Sequence, residues 1–139
     1  MTEKRIELRW SDVDSYQHVN NAVYLTYLEE VRDLWFEQHV LGVEGAGDFV
    51  LVRVAIDYRR ELTLSDSFVL ARCAPVRVGG ASVTTREEIW SGPGGFLAAE
   101  SESVMVAHDA TTRKSRKLAP AERAAIEVAI TAFTGAETP

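Results

Sequence analysis

Asp12–Glu30 reads DVDSYQHVNNAVYLTYLEE. It begins as an acidic, turn-forming loop and becomes helical after two consecutive asparagines. A surface loop has no need of so apolar a sequel, and a core segment would not carry so many polar groups. The stretch therefore joins a polar site to the start of a buried helix. Asparagine is a favoured N-cap, so the helix is expected to begin at Asn20 or Asn21 and to run to about Gln38. At about 100° per residue, Val23, Tyr24, Tyr27, Leu28, Val31, Leu34 and Trp35 fill one broad arc. Leu25 and Phe36 extend it, and Thr26, Glu29, Glu30, Asp33 and Glu37 form the polar strip. An ordinary surface helix has a narrower apolar stripe. This one is expected to be covered on several sides by a sheet curling around it.

Outward from this helix the chain reads as strands. Lys4 to Trp10 alternates, with Ile6, Leu8 and Trp10 on one face. Ser11 to Val19 is a loop, and a glycine-rich connector spans Gly42 to Gly47. Four strand-like runs follow: Phe49–Leu62, Asp66–Val78, Ser82–Trp90 and Phe96–His108. In the first, Val50, Val52, Val54, Ile56 and Tyr58 give a period-two face. The joints LTLSD, VGG and SGPGG carry the turn chemistry of antiparallel hairpins. Two of the runs exceed a typical strand length, which points to strong twist. A second helix is expected from about Pro120, a good first helical residue, to Phe133. The order strand, long helix, four antiparallel strands, helix predicts an α+β architecture, that of the hotdog fold.

The 139 residues suit one domain over 1–139 with a sizeable core. Hydrophobic residues at 46% and charged residues at 26% are ordinary globular values. A formal net charge of −6 argues against a nucleic-acid surface. The single cysteine, Cys73, excludes an internal disulfide framework and a cysteine-rich zinc site, and its apolar run FVLARCAPV reads as core. MTEKRIELRW has no apolar signal region, and no stretch approaches the roughly 20 apolar residues of a membrane span. A soluble, cytoplasmic protein is the expectation.

RWSDVDSYQHVNNAVYLTYLEEVR (Arg9–Arg32) resembles the signature of the 4-hydroxybenzoyl-CoA thioesterase-like hotdog hydrolases. With YQHVNN, EEVR and the downstream DYRRELTLSD, it is most similar to bacterial long-chain acyl-CoA thioesterases of fatty-acid β-oxidation. The resemblance runs from Lys4 to His108. It implies an acyl-CoA substrate and a homodimer or tetramer, with the site at the subunit interface and no cofactor beyond the CoA of the substrate. The family carboxylate falls on Asp14 rather than Asp12, and the backbone oxyanion donor on Asn21. Many members carry glycine where this chain has Gln17, a residue that can also line the pocket. Arg77 and Ser82, at the VRVGGAS turn, fall where relatives touch the nucleotide.

The chemistry is consistent with those residues. Thioester hydrolysis needs attack on the carbonyl carbon and stabilisation of the oxygen that becomes negative. The first N–H groups of a helix have no intrahelical partners and sit at the positive end of its dipole, so those near Asn21 and Ala22 suit the oxyanion. Asp14 can activate water as a general base or attack directly to give a mixed anhydride. His18 either orients the carboxylate or locks the loop, and Asn20 is read as a helix cap. Tyr24 and Tyr27 either wall an acyl tunnel or belong to the core. Arg59, Arg60, Arg77 and the run Arg113–Lys117 are candidates for the CoA phosphates. His39 and His108 read as ordinary. Alternatives are a non-hydrolytic acyl-CoA binder and a thioesterase acting on acyl-carrier-protein or aromatic acyl-CoA thioesters. A hotdog dehydratase is disfavoured, because no Asn-Pro motif accompanies Asp14 and His18.

Overall fold

The computed structural model describes residues 1–137. Thr138 and Pro139, the end of the expected domain, lie outside the described residues. The elements are β1 (Thr2–Glu7), α1 (Asn21–His39), β2 (Asp48–Tyr58), β3 (Phe68–Val78), β4 (Ser82–Ser91), β5 (Leu97–Asp109), β6 (Lys114–Ser115) and α2 (Pro120–Glu137). Two single 3-10 turns, Trp10–Asp12 and Leu64–Asp66, precede α1 and β3. The sheet is antiparallel in the order β1-β3-β4-β5-β2, with the short β6 paired to β5. This is the expected arrangement of one long helix and an antiparallel sheet, with both helices packed in its hollow.

Helix α1 lies along that hollow because its broad apolar arc needs a broad cover. Tyr24, Tyr27, Leu28, Val31, Trp35 and Phe36 are all buried. The interior divides into two apolar clusters. Near the start of α1, Tyr24, Tyr27 and Leu28 pack with Leu62, Val69, Ile89 and Ala99. Near its end, Val31, Trp35, Phe36 and Val40 pack with Cys73, Val83, Met105 and Ile126 of α2. Between them runs a polar belt. Arg32 donates to Glu87 Oε1 at 3.1 Å and to Ser103 Oγ at 3.3 Å. Thr85 and Ser101 each donate to Glu87 at 3.0 Å. The 3.6-residue period of α1 gives no apolar reason to put Arg32 inside. It is buried because Glu87 and Ser103 supply acceptors there.

The first strand is shorter than the alternation predicts. It stops at Glu7, and Trp10, expected on the inner face, is 83% exposed. Asp12 bends the chain by accepting from the Arg9 N–H at 3.0 Å and from its guanidinium at 2.8 and 3.0 Å. The period-two face of β2 is also corrected. A bulge between Leu51 and Arg53 shifts the register against β5, so Phe49 faces the core on one side of it and Val54 and Ile56 on the other. Val50, Leu51 and Val52 are left exposed on the sheet's outer strand. This run ends at Tyr58 rather than Leu62, and the next begins at Phe68, after the 3-10 turn. Helix α2 extends past Phe133 to Glu137.

Candidate active site

The loop before α1 is a miniature hairpin closed by a bridge between Val13 and Val19. At its neck, Asp14 N–H donates to the His18 carbonyl at 2.9 Å, and Gln17 N–H donates to the Asp14 carbonyl at 3.1 Å. Asp14 Oδ1 accepts from the Tyr16 N–H at 2.9 Å and from the His18 N–H at 3.4 Å. Among the described residues Oδ2 has no such partner, so one carboxylate oxygen is anchored and the other is open. The tip requires a left-handed residue, and Gln17 supplies it at φ 68°. Glycine would adopt such a φ without steric cost.

Asp12 has the opposite character. It is 1% exposed, and Tyr27 Oη donates to its Oδ2 at 2.8 Å in addition to the three bonds from Arg9. Burial pushes its carboxyl up, but the bonds from Arg9 and Tyr27 outweigh that and hold it below the usual range. Burial, and then Asp12, push the Tyr27 phenol far up. Asp12 and Tyr27 therefore form a saturated anchor. The Asp12 backbone carbonyl also accepts from the Asn20 N–H at 2.9 Å, while Val19 N–H is held by the Leu62 carbonyl at 2.8 Å. Helix α1 is thereby launched from a fixed point.

At that point Asn20 is the N-cap, its Oδ1 accepting from the Ala22 N–H at 3.0 Å. Of the two donors singled out from the sequence, Ala22 is occupied. Asn21 N–H, the first of the helix, has no acceptor among the described residues. Tyr58, from the end of β2, donates to the Asn21 carbonyl at 2.9 Å and meets Tyr24 edge-on at 5.0 Å. Burial raises the Tyr24 phenol to about 12, so it stays protonated across the neutral range.

Two clefts flank this loop. One, of about 340 Å³, is lined by Trp10, Val13, Asp14, Ser15, Gln17 and Leu64. The other, of about 230 Å³, carries Asn21, Tyr24, Tyr58, Arg59 and Arg60 together with His18 and Glu61. The His18 ring turns to Glu61 at 2.8 Å, and its backbone rather than its ring meets Asp14. Arg59 is paired with Glu100 at 2.6 Å, and Arg60 lies over Phe96. Arg77 and Ser82 are not brought to Asp14 within one chain. Arg77 lies near the far end of β3, about 30 Å along the strand from Phe68, and Ser82 begins β4 at that same end. Arg77 is 3.7 Å from Glu102. From the basic run, Arg116 is committed to Glu122 at 2.7 and 2.9 Å, pinning the start of α2. Cys73 is fully buried, and burial pushes its thiol up. Among the described residues no three His, Cys, Asp or Glu side chains are grouped to hold a metal ion. None of their helices is long and apolar enough to cross a membrane.

This fold has known counterparts. Residues 8–128 match the family model of the thioesterase-like superfamily. The chain belongs to that superfamily. Its enzymatic class is thioester hydrolysis, as the loop signature predicted. It is 31% identical to the long-chain acyl-CoA thioesterase FadM of Escherichia coli K12, over 84% of this chain and 89% of that protein. A thioesterase from Thermus thermophilus, crystallised with coenzyme A and zinc, is 29% identical with a TM-score of 0.80, covering 93% and 94% of the two chains. YbaW, a probable thioesterase from Escherichia coli, is 29% identical with a TM-score of 0.74, covering 94% and 99%.

Three features of this superfamily member lie beyond what its residues announce in order. Tyr58 reads only as part of an alternating face, and its hydroxyl contact to Asn21 spans 37 positions. The alternation assigns Trp10 to the interior, and the LTLSD motif assigns Leu64 to a turn. The turn motif is a usable signal, since an acid closes each turn three residues after its N-cap, as Asp12 does for Arg9 and Asp66 for Thr63.

Proposed function

We propose that this chain hydrolyses acyl-CoA thioesters, fatty acyl in class, to the free acid and CoA. The thioester oxygen is received by the Asn21 N–H, whose open position at the helix N-terminus is the observation that carries the reading. An unpaired N–H at the positive end of a 19-residue helix favours negative charge where it develops in the transition state. Asp14 lies in the same hairpin and offers an unengaged oxygen, either as general base to a water or as nucleophile. The similarity to FadM supports the long-chain acyl-CoA class, and the bound coenzyme A of the Thermus relative supports the CoA half.

The active unit in this reading is a homodimer joined along the outer edge of β2. An unpaired strand edge with exposed Val50, Leu51 and Val52 is a template for a second copy, and antiparallel pairing of β2 with itself satisfies two-fold symmetry. Such pairing places a partner's surface beside the clefts, so residues distant from Asp14 in one chain, Arg77 and Ser82 among them, can reach the substrate of the other.

The test is thiol release from acyl-CoA by the wild-type protein and by Asp14→Asn, with melting curves of both. The expected result is turnover reduced at least a hundredfold in Asp14→Asn with an unchanged melting midpoint. Equal rates in the two proteins would remove Asp14 from the mechanism, and saturable binding without turnover in the wild type would make the chain a binder.

A further inference from the structure

The sheet sends one hydroxyl to the first residue of α1. Beyond the β2 bulge the alternation resumes, so Val54, Ile56 and Tyr58 share one face of the strand. Val54 and Ile56 pack on the cluster beneath the start of α1, and Tyr58, the last residue of β2, reaches the helix itself. Its backbone is fixed: Tyr58 pairs with Ala99, and the next N–H, that of Arg59, donates to the Ala98 carbonyl at 2.8 Å. Both alanines are fully buried. The Tyr58 ring is braced edge-on against the buried Tyr24, with centroids 5.0 Å apart and planes at 90°. From there its hydroxyl donates to the Asn21 carbonyl at 2.9 Å. Burial raises the Tyr58 phenol above its ordinary value, so the hydroxyl keeps its proton and remains a donor at neutral pH.

The helix does not need this bond in order to form. As the first helical residue, Asn21 already offers its carbonyl to the N–H of Leu25. What a helix start lacks is rigidity, because terminal turns fray. The Asn21 N–H and carbonyl flank the same α-carbon, so pinning the carbonyl restricts where the N–H points. From the loop side the same turn is held by the Asn20 N–H on the Asp12 carbonyl at 2.9 Å, and by Asn20 Oδ1 on the Ala22 N–H at 3.0 Å. From the sheet side it is held by Tyr58. We infer that Tyr58 is a positioning residue for thioester hydrolysis, its hydroxyl holding the first residue of α1 so that the Asn21 N–H meets the developing oxyanion. This rests on the acyl-CoA reading above and adds the group that keeps its oxyanion donor in place. A misplacement of about 1 Å in such a site can cost ~10²-fold in rate. Tyr58 acts through Asn21, so its loss falls on kcat rather than on KM.

The full-length protein and its Tyr58→Phe variant are compared in lauroyl-CoA hydrolysis, with melting curves and amide proton–nitrogen correlation spectra of both. Phenylalanine keeps the ring against Tyr24 and removes only the hydroxyl, so the melting midpoint is expected to fall by no more than about 4 °C. The expected kinetic result is a kcat about tenfold lower with KM unchanged to within about twofold, since the oxyanion donor is displaced rather than deleted. The Ala22 amide proton shares its peptide group with the Asn21 carbonyl, and it is expected to move upfield when that carbonyl loses a donor. Asn20→Ala loosens the same turn from the loop side, so the double variant is expected to lose less kcat than the product of the two single losses. An unchanged kcat in Tyr58→Phe, or a raised KM at unchanged kcat, would overturn the inference. So would an unmoved Ala22 resonance, or losses that simply multiply in the double variant. A wild type that releases no thiol from lauroyl-CoA removes this inference together with the hydrolytic reading, whereas an active wild type with an equally active Tyr58→Phe removes this inference alone.

Discussion

The Arg32–Glu87 pair offers a quantitative check on how the interior is held. Arg32 is 4% exposed and Glu87 fully buried, so replacing Arg32 by Leu leaves a carboxylate inside with only the hydroxyls of Thr85, Ser101 and Ser103. Breaking one member of a buried pair typically costs ~3–5 kcal/mol, because the remaining charge is desolvated without compensation. For a chain of this size each kcal/mol moves the melting midpoint by about 3–4 °C, so Arg32→Leu is expected to melt roughly 10–20 °C lower. Arg32 already leaves its Nε without a partner, so the pair is imperfectly satisfied. The double variant Arg32→Leu/Glu87→Leu is therefore expected to recover most of the loss.

The pH dependence follows from burial, which raises the Glu87 carboxyl above its ordinary value. A group whose folded value lies above its unfolded one binds its proton more tightly when folded. That contribution is full below the unfolded value, about 4.3, and is lost as pH rises through the folded one. Without Arg32 the folded value moves higher still, so the deficit of Arg32→Leu should shrink between pH 8 and pH 5. Thermal and urea unfolding followed by circular dichroism at the two pH values measure this. A single variant costing under 1 kcal/mol, or a double variant no more stable than Arg32→Leu, would refute the argument.

Two further outcomes are expected. In the proposed dimer, Val52→Lys puts a charge on the β2 seam, so light scattering is expected to report a dimer for the wild type and a monomer with reduced turnover for the variant. Gln17→Gly removes the left-handed strain and should leave stability unchanged or slightly improved, whereas Gln17→Val should cost ~1–2 kcal/mol in urea unfolding, because a β-branched residue resists φ 68°.

Which parts of this protein could be read from its residues follows from the range of the forces involved. Helix α1 was predictable to within a residue at each end, because an N-cap and a 3.6-residue apolar period are local properties of the chain. β4 was also legible to within one residue, since glycine turns bound a run of strand formers. Asp14 and Asn21 could be singled out as candidates because the loop chemistry and the helix start lie within eight positions of each other. Where contacts reach across the chain, local pattern misled. The β2 alternation passes through a bulge set by its register with β5; the exposure of Trp10 is a local exception, since Asp12 interrupts its alternation by capping Arg9 three residues earlier. Arg32 sits on the buried face because of a carboxylate 55 positions away.

The sequence by itself determined the element order, the helix that carries the site and the two residues proposed for its chemistry, since hydrogen-bond capping and side-chain periodicity act between neighbours. The tertiary structure decided that Asp12 is a buried anchor under Tyr27, that Arg32 lies inside against Glu87, and where β2 bulges against β5. Those outcomes depend on partners supplied by distant segments, and a carboxylate or an amide is available for chemistry only if nothing folded beside it has already taken its hydrogen bonds.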